Sequence, residues 1–169
     1  MPSPWPPAIL TIPVLLTAGG VLLTLIYRDL AQRRLPNVWV GVYAALFLPY
    51  ATASGMGWSQ LQAHVITGLI ALLIAAPLFA FRAMGGGDVK LWAALMLWAG
   101  PQGAVLAFVI ATIGGGLLGV LGIVSHYVLK YRRRPRCAPI FRMLSSSRGV
   151  PYGVGLAIAG LQSLWATAL

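Results

Sequence analysis

The chain carries two acidic residues among 169, Asp29 and Asp88. Each stands in its own polar stretch, Asp29 in DLAQRRLPN and Asp88 in GGGDVK. Two carboxylates brought to one site do not both ionise easily, so one keeps a proton while the other carries charge. Such a dyad can take a proton from water as the water attacks a carbonyl, while the protonated partner donates to the developing oxyanion. Each acid alone also has a plain structural reading. Asp29 can be a membrane-flanking charge paired with Arg28 or Arg33, and Asp88 can cap a turn and the helix that follows it, since a helix N-terminus stabilises a carboxylate.

The neighbours of the two acids admit the same two readings. Gly85, Gly86 and Gly87 let the backbone adopt conformations closed to other residues and let a substrate chain come close. Pro36 and Asn37 read as a break and a cap at the start of the next helix, because proline disfavours helix in the residue before it and asparagine accepts N-terminal N–H bonds. Lys90 is either a modulator of the acid pair or an anchor at the membrane surface. A phosphate loop is a poor match for GGGDVK, since no strand precedes it and no Gly-Lys-Ser/Thr follows. The single cysteine, Cys137, excludes an internal disulfide and a cysteine-based zinc site. His64 and His126 fall at opposite ends of their spans, so no metal or other cofactor is expected.

The elements that would position these residues are membrane helices. Hydrophobic residues make up 59% of the chain and charged ones 8%, and the mean hydropathy is +0.86, too apolar for a soluble domain of this size. A spanning helix needs ~20 largely apolar residues. Six segments qualify, at Ala8 to Tyr27, Val38 to Ala53, Ala63 to Phe81, Leu91 to Gly100, Ala104 to Leu129 and Val150 to Ala168. The expected fold is therefore an all-α integral membrane protein of about six helices in one domain, residues 1–169. Met1 to Pro7 has no positive charge ahead of its apolar run, so the first segment reads as a retained span and not as a signal peptide.

All twelve basic residues fall in alternate connections. Arg28, Arg33 and Arg34 follow the first span, Arg82 and Lys90 the third, and Lys130, Arg132, Arg133, Arg134, Arg136, Arg142 and Arg148 the fifth. The positive-inside rule then gives three basic cytoplasmic loops, both termini outside, and both aspartates facing the cytoplasm. The net charge of +10 is thus a matter of topology and of attraction to anionic lipids, worth ~1 kcal/mol per basic residue near the surface. Nucleic acid is not expected as a partner. The fourth segment, from Val89 to Gly100, is only ~18 Å long, so it needs a thinned bilayer or a start below the surface, with the glycine loop lining a cavity. Gly115 and Gly119 have a spacing that lets helices pack closely, read as internal packing. Trp58, Trp92, Trp98 and Trp165 read as interfacial tryptophans.

DLAQRRLPN and GGGDVK, each after a hydrophobic span, resemble the two aspartate motifs of the prepilin peptidases, membrane aspartyl proteases of the Gly-x-Gly-Asp type. VPYGVGLAIAG, Val150 to Gly160, resembles the start of their last helix, with Pro151, Tyr152 and Gly153 as its signature. The likeness covers nearly the whole chain in order. The long bifunctional members carry an extra N-terminal region with a four-cysteine zinc loop and also methylate the new N-terminus. With one cysteine and no such region, this chain looks like the short TadV/CpaA type associated with Flp (Tad) pili. The resemblance implies Asp29 and Asp88 as the catalytic pair, Gly85 and Gly87 as defining glycines, and no methyltransferase activity. It also implies prepilins, and pseudopilins, as substrates cut at the junction of a basic leader and an apolar helix, in the bacterial inner membrane. Two alternatives stand beside it: another Gly-x-Gly-Asp intramembrane protease, although the Pro-Ala-Leu motif of those proteins is absent, and a non-enzymatic assembly or ion-transport protein with the acids as its cation site.

Overall fold

In a computed structural model, residues 7–32, 35–82, 84–131 and 152–168 are described. Within them the chain is helical, with no strand among the described residues. Helix α1 runs Pro7–Gln32, α2 Asn37–Ala45, α3 Phe47–Ala53, α4 Trp58–Ala80, α5 Gly86–Tyr131 and α6 Tyr152–Ala168.

Three helical stretches are long and apolar enough to cross a membrane, Ile9–Gln32, Trp58–Ala80 and Gly86–Ser125, while Asn37–Ala53 and Gly153–Ala166 are shorter apolar helices. Their outward faces carry aliphatic side chains such as Leu16, Leu73 and Ile113, exposed by 72%, 71% and 66%. An apolar face of that extent belongs against lipid. Backbone polar groups are satisfied inside the helices, as a hydrocarbon solvent requires. Hydroxyls behave likewise: Thr17 donates to the Pro13 carbonyl at 2.8 Å and Thr24 to that of Gly20 at 2.9 Å.

Helix α5 is a hairpin. Gly100 has φ 61° and ψ −177°, and Pro101 follows without an N–H to continue the ladder. The rings of Trp92 and Phe108 lie 5.7 Å apart, whereas sixteen residues of straight helix would separate them by ~24 Å. The two limbs, 86–99 and 101–131, therefore lie side by side. The first limb starts at Gly86, earlier than the expected Leu91, so Gly86 and Gly87 are helical and only Gly85 lies outside. This lengthens the limb to ~21 Å. The expected second span, Val38 to Ala53, is broken at Leu46 between α2 and α3. Pro49 explains the break, because its ring excludes the carbonyl of residue 45 and offers no donor to it.

Small residues set the closest contacts. A Cβ on Gly155 of α6 would come within 2.6 Å of the Gly115 nitrogen, and one on Gly68 of α4 within 3.1 Å of the Ala93 carbonyl. Gly115 thus packs within the molecule, as expected. Trp98 differs from expectation. It is fully buried, stacks on Tyr43 at 5.6 Å and donates its indole N–H to the Tyr43 carbonyl at 2.9 Å. It is a core residue, whereas Trp58 and Trp165 are exposed.

Candidate active site

Both aspartates lie at the same end of the bundle, and each serves a helix N-terminus. The first N–H groups of any helix lack partners inside it. At the start of α5, Gly85 is the capping residue and Asp88 the third helical one. The Asp88 carboxylate reaches back to accept the Gly85 N–H, which is the acidic half of a capping box. The Val89 N–H closes the first turn onto the Gly85 carbonyl at 3.1 Å. A side chain on Gly85 would bring a Cβ within 2.8 Å of Asp88 Oδ2.

Asp29 lies near the end of α1 but caps a different helix. Its Oδ2 accepts the N–H of Val154, in the first turn of α6, at 3.1 Å. It is 6% exposed, against a half-buried Asp88. The approach depends on Gly153, where a Cβ would lie 2.9 Å from Asp29 Oδ2. Asp88 feels the charge of Asp29, so the two acids are electrostatic neighbours despite their separation in sequence.

The supporting residues divide. Gly85, Gly87 and Gly153 come together around the acids, and Gly86 packs under Phe79. Pro36 takes an extended conformation and is the capping position of α2. Asn37, expected as that cap, is instead the first helical residue and makes no cap bond; its Oδ1 accepts from the Lys90 ammonium at 3.2 Å. Lys90 is exposed and engaged with Asn37, two residues from Asp88 in sequence but lining a cleft of about 430 Å³ with Asn37, Gly41, Val65, Leu69, Ala93 and Leu97. Arg34, Pro151 and the basic run around Cys137 lie outside the described residues, as does the side chain of Tyr152. Leu35 was overlooked by the sequence reasoning. Its Cβ and carbonyl would lie 2.8 and 3.1 Å from a Cβ on Gly87, and its Cδ1 2.8 Å from one on Gly153. The signal was its place inside the first motif, between Arg34 and Pro36.

Among the described residues no three His, Cys, Asp or Glu side chains gather to hold a metal. His64 sits at the opposite end of the bundle, its Nδ1 2.8 Å from the Leu97 carbonyl and its ring packed against Gly100.

A model of the type IV leader peptidase family matches residues 16–120. The chain belongs to that family. The match takes in both aspartates, Leu35 and the glycines before Asp88, and stops ahead of α6. No curated protein and no solved structure matches the chain. Membership makes this leader peptidase a protease, a hydrolase of peptide bonds, and its apolar helices make it a membrane protein. The last helix, outside the matched stretch, still supplies the N–H that holds Asp29.

Proposed function

We propose that this leader peptidase is an aspartyl prepilin peptidase that removes the leader of Flp-type prepilins, and of pseudopilins, at the cytoplasmic face of the bacterial inner membrane. The observation that carries the reading is the pair of carboxylates, the only two acids in the chain, at one end of the bundle and within electrostatic reach. Asp29 and Asp88 are the catalytic pair. The ionised carboxylate takes a proton from water as the oxygen attacks the scissile carbonyl, and the protonated partner gives its proton to the carbonyl oxygen. The tetrahedral intermediate collapses with breakage of the C–N bond, and a proton moves to the leaving amine. Water is thereby split between the two products and the pair returns to its starting protonation.

The backbone N–H groups of Gly85 and Val154 fix where each carboxylate points, and such preorganisation is worth orders of magnitude in rate. The loops of basic residues support a cytoplasmic site, since Arg28 and Arg82 belong to the same end as the acids. The short TadV/CpaA type, without methyltransferase activity, fits the single cysteine. Anionic lipid is the expected partner of the basic loops.

The test is the gel mobility of a Flp-type prepilin co-expressed with the wild type, Asp29→Ala or Asp88→Ala, each shown to reach the membrane equally. Processing by the wild type alone is expected. Cleavage by either variant would overturn the two-acid mechanism, and loss of ion flux with prepilin size unchanged would favour a transport role.

A further inference from the structure

Leu35 is half-buried in the link between α1 and α2 and is packed against the hydrophobic core. It faces two glycines at once, one at each of two helix starts. Its Cβ and carbonyl face Gly87 at the start of α5, where an added Cβ would come within 2.8 and 3.1 Å. Its Cδ1 faces Gly153 at the start of α6, again with 2.8 Å to an added Cβ. Gly87 immediately precedes Asp88, and Gly153 immediately precedes Val154, whose N–H holds Asp29. One leucine thus fills the joint between the two helix starts that hold the acids, α5 carrying Asp88 and α6 binding Asp29 through the Val154 N–H.

Resting on the aspartyl peptidase reading, we infer that Leu35 is a positioning residue, a spacer whose side chain sets the distance between the N-termini of α5 and α6 and thereby between the carboxylates of Asp29 and Asp88. Each carboxylate is tied to its helix end by a backbone N–H, so a shift of either end is passed to the acid it holds. Glycines on both sides leave no side chain of their own to maintain the gap. Close-packed joints transmit volume changes instead of absorbing them, and a misplacement of about 1 Å at a catalytic group costs about a hundredfold in rate.

The test uses the full chain in liposomes with a prepilin substrate, comparing Leu35→Ala with Leu35→Met, which keeps the volume. Leu35→Ala is expected to lower kcat at least about tenfold with KM changed less than about threefold, and Leu35→Met to retain most of kcat, as follows from misplacement of the reacting groups. Should Leu35→Ala fail to accumulate, the shorter Leu35→Val carries the same comparison. A second readout does not need activity. Cysteines replacing Met84 and Val154, at the starts of α5 and α6 with both aspartates kept, and with Cys137→Ser, are bridged by thiol cross-linkers of graded length, and Leu35→Ala is expected to change which length reacts best. Wild-type kcat in Leu35→Ala, or an unchanged cross-linking profile, would overturn the spacer. A wild type that cuts no prepilin would instead remove the peptidase reading, while the cross-linking result would still stand for or against Leu35.

Discussion

At the scale of single residues, the two acids are distinguished by what they cap. Asp88 caps the helix to which it belongs, which is a local arrangement visible in the spacing of Gly85 and Asp88. Asp29 caps a helix far along the chain, and it does so only because Gly153 has no side chain. Gly153→Ala would press a methyl group against the Asp29 carboxylate at 2.9 Å and displace it from the Val154 N–H. Prepilin cleavage is expected to fall by more than about tenfold with little loss of protein from the membrane, measured by initial rates at equal enzyme. Tyr43 offers the opposite case. Its hydroxyl is buried without a hydrogen-bond partner among the described residues, and such a group costs about 1–3 kcal/mol. Tyr43→Phe is therefore expected to raise, or leave unchanged, the midpoint of thermal unfolding in detergent, and a lower midpoint would show that the hydroxyl has a partner.

At the scale of elements, the α5 hairpin decides how the site is held. Its first limb carries Asp88 at one end and Trp98 and Gly100 at the other, so the packing of Trp98 against Tyr43 anchors the strut on which the acid stands. The bend needs glycine twice over. At φ 61° a side chain is strained by about 1–2 kcal/mol, and the His64 ring occupies the place a Cβ would take. Gly100→Ala is expected to destabilise the bundle by at least about 1–2 kcal/mol, read as a lower unfolding midpoint. A bend there was expected, since the fourth and fifth segments, Leu91 to Gly100 and Ala104 to Leu129, end and begin beside it. The earlier helix start was not, because glycine propensity argues against helix, yet a Cβ on Gly87 would come within 2.8 Å of Leu35 and one on Gly86 within 3.1 Å of the Phe79 ring.

At the scale of the whole molecule, the charges are sorted by end. The Ser54 to Gly57 connection between α3 and α4 and the first turn of α4 have no basic residue, and the turn at Arg82 lies at the end of the acids. With Cys137→Ser as background, Ser59→Cys should react with a membrane-impermeant maleimide in intact spheroplasts, and Arg82→Cys only after lysis. The reverse pattern would put the acids on the outer face and remove prepilin leaders as the substrate.

The sequence by itself determined the class of molecule, an all-helical membrane protein, because hydropathy is a property of composition along the chain. It also marked the two acids, since a chain so poor in carboxylates retains few by accident of composition. Only the tertiary structure decided that Asp29 caps the first turn of α6, that Asn37 holds Lys90 instead of a helix end, that Trp98 is core, and that Leu35 lies between Gly87 and Gly153. Each of these depends on contacts between segments distant in the chain. Local propensity and periodicity carry no information about which helix end meets which side chain, whereas close packing at glycines allows only one arrangement.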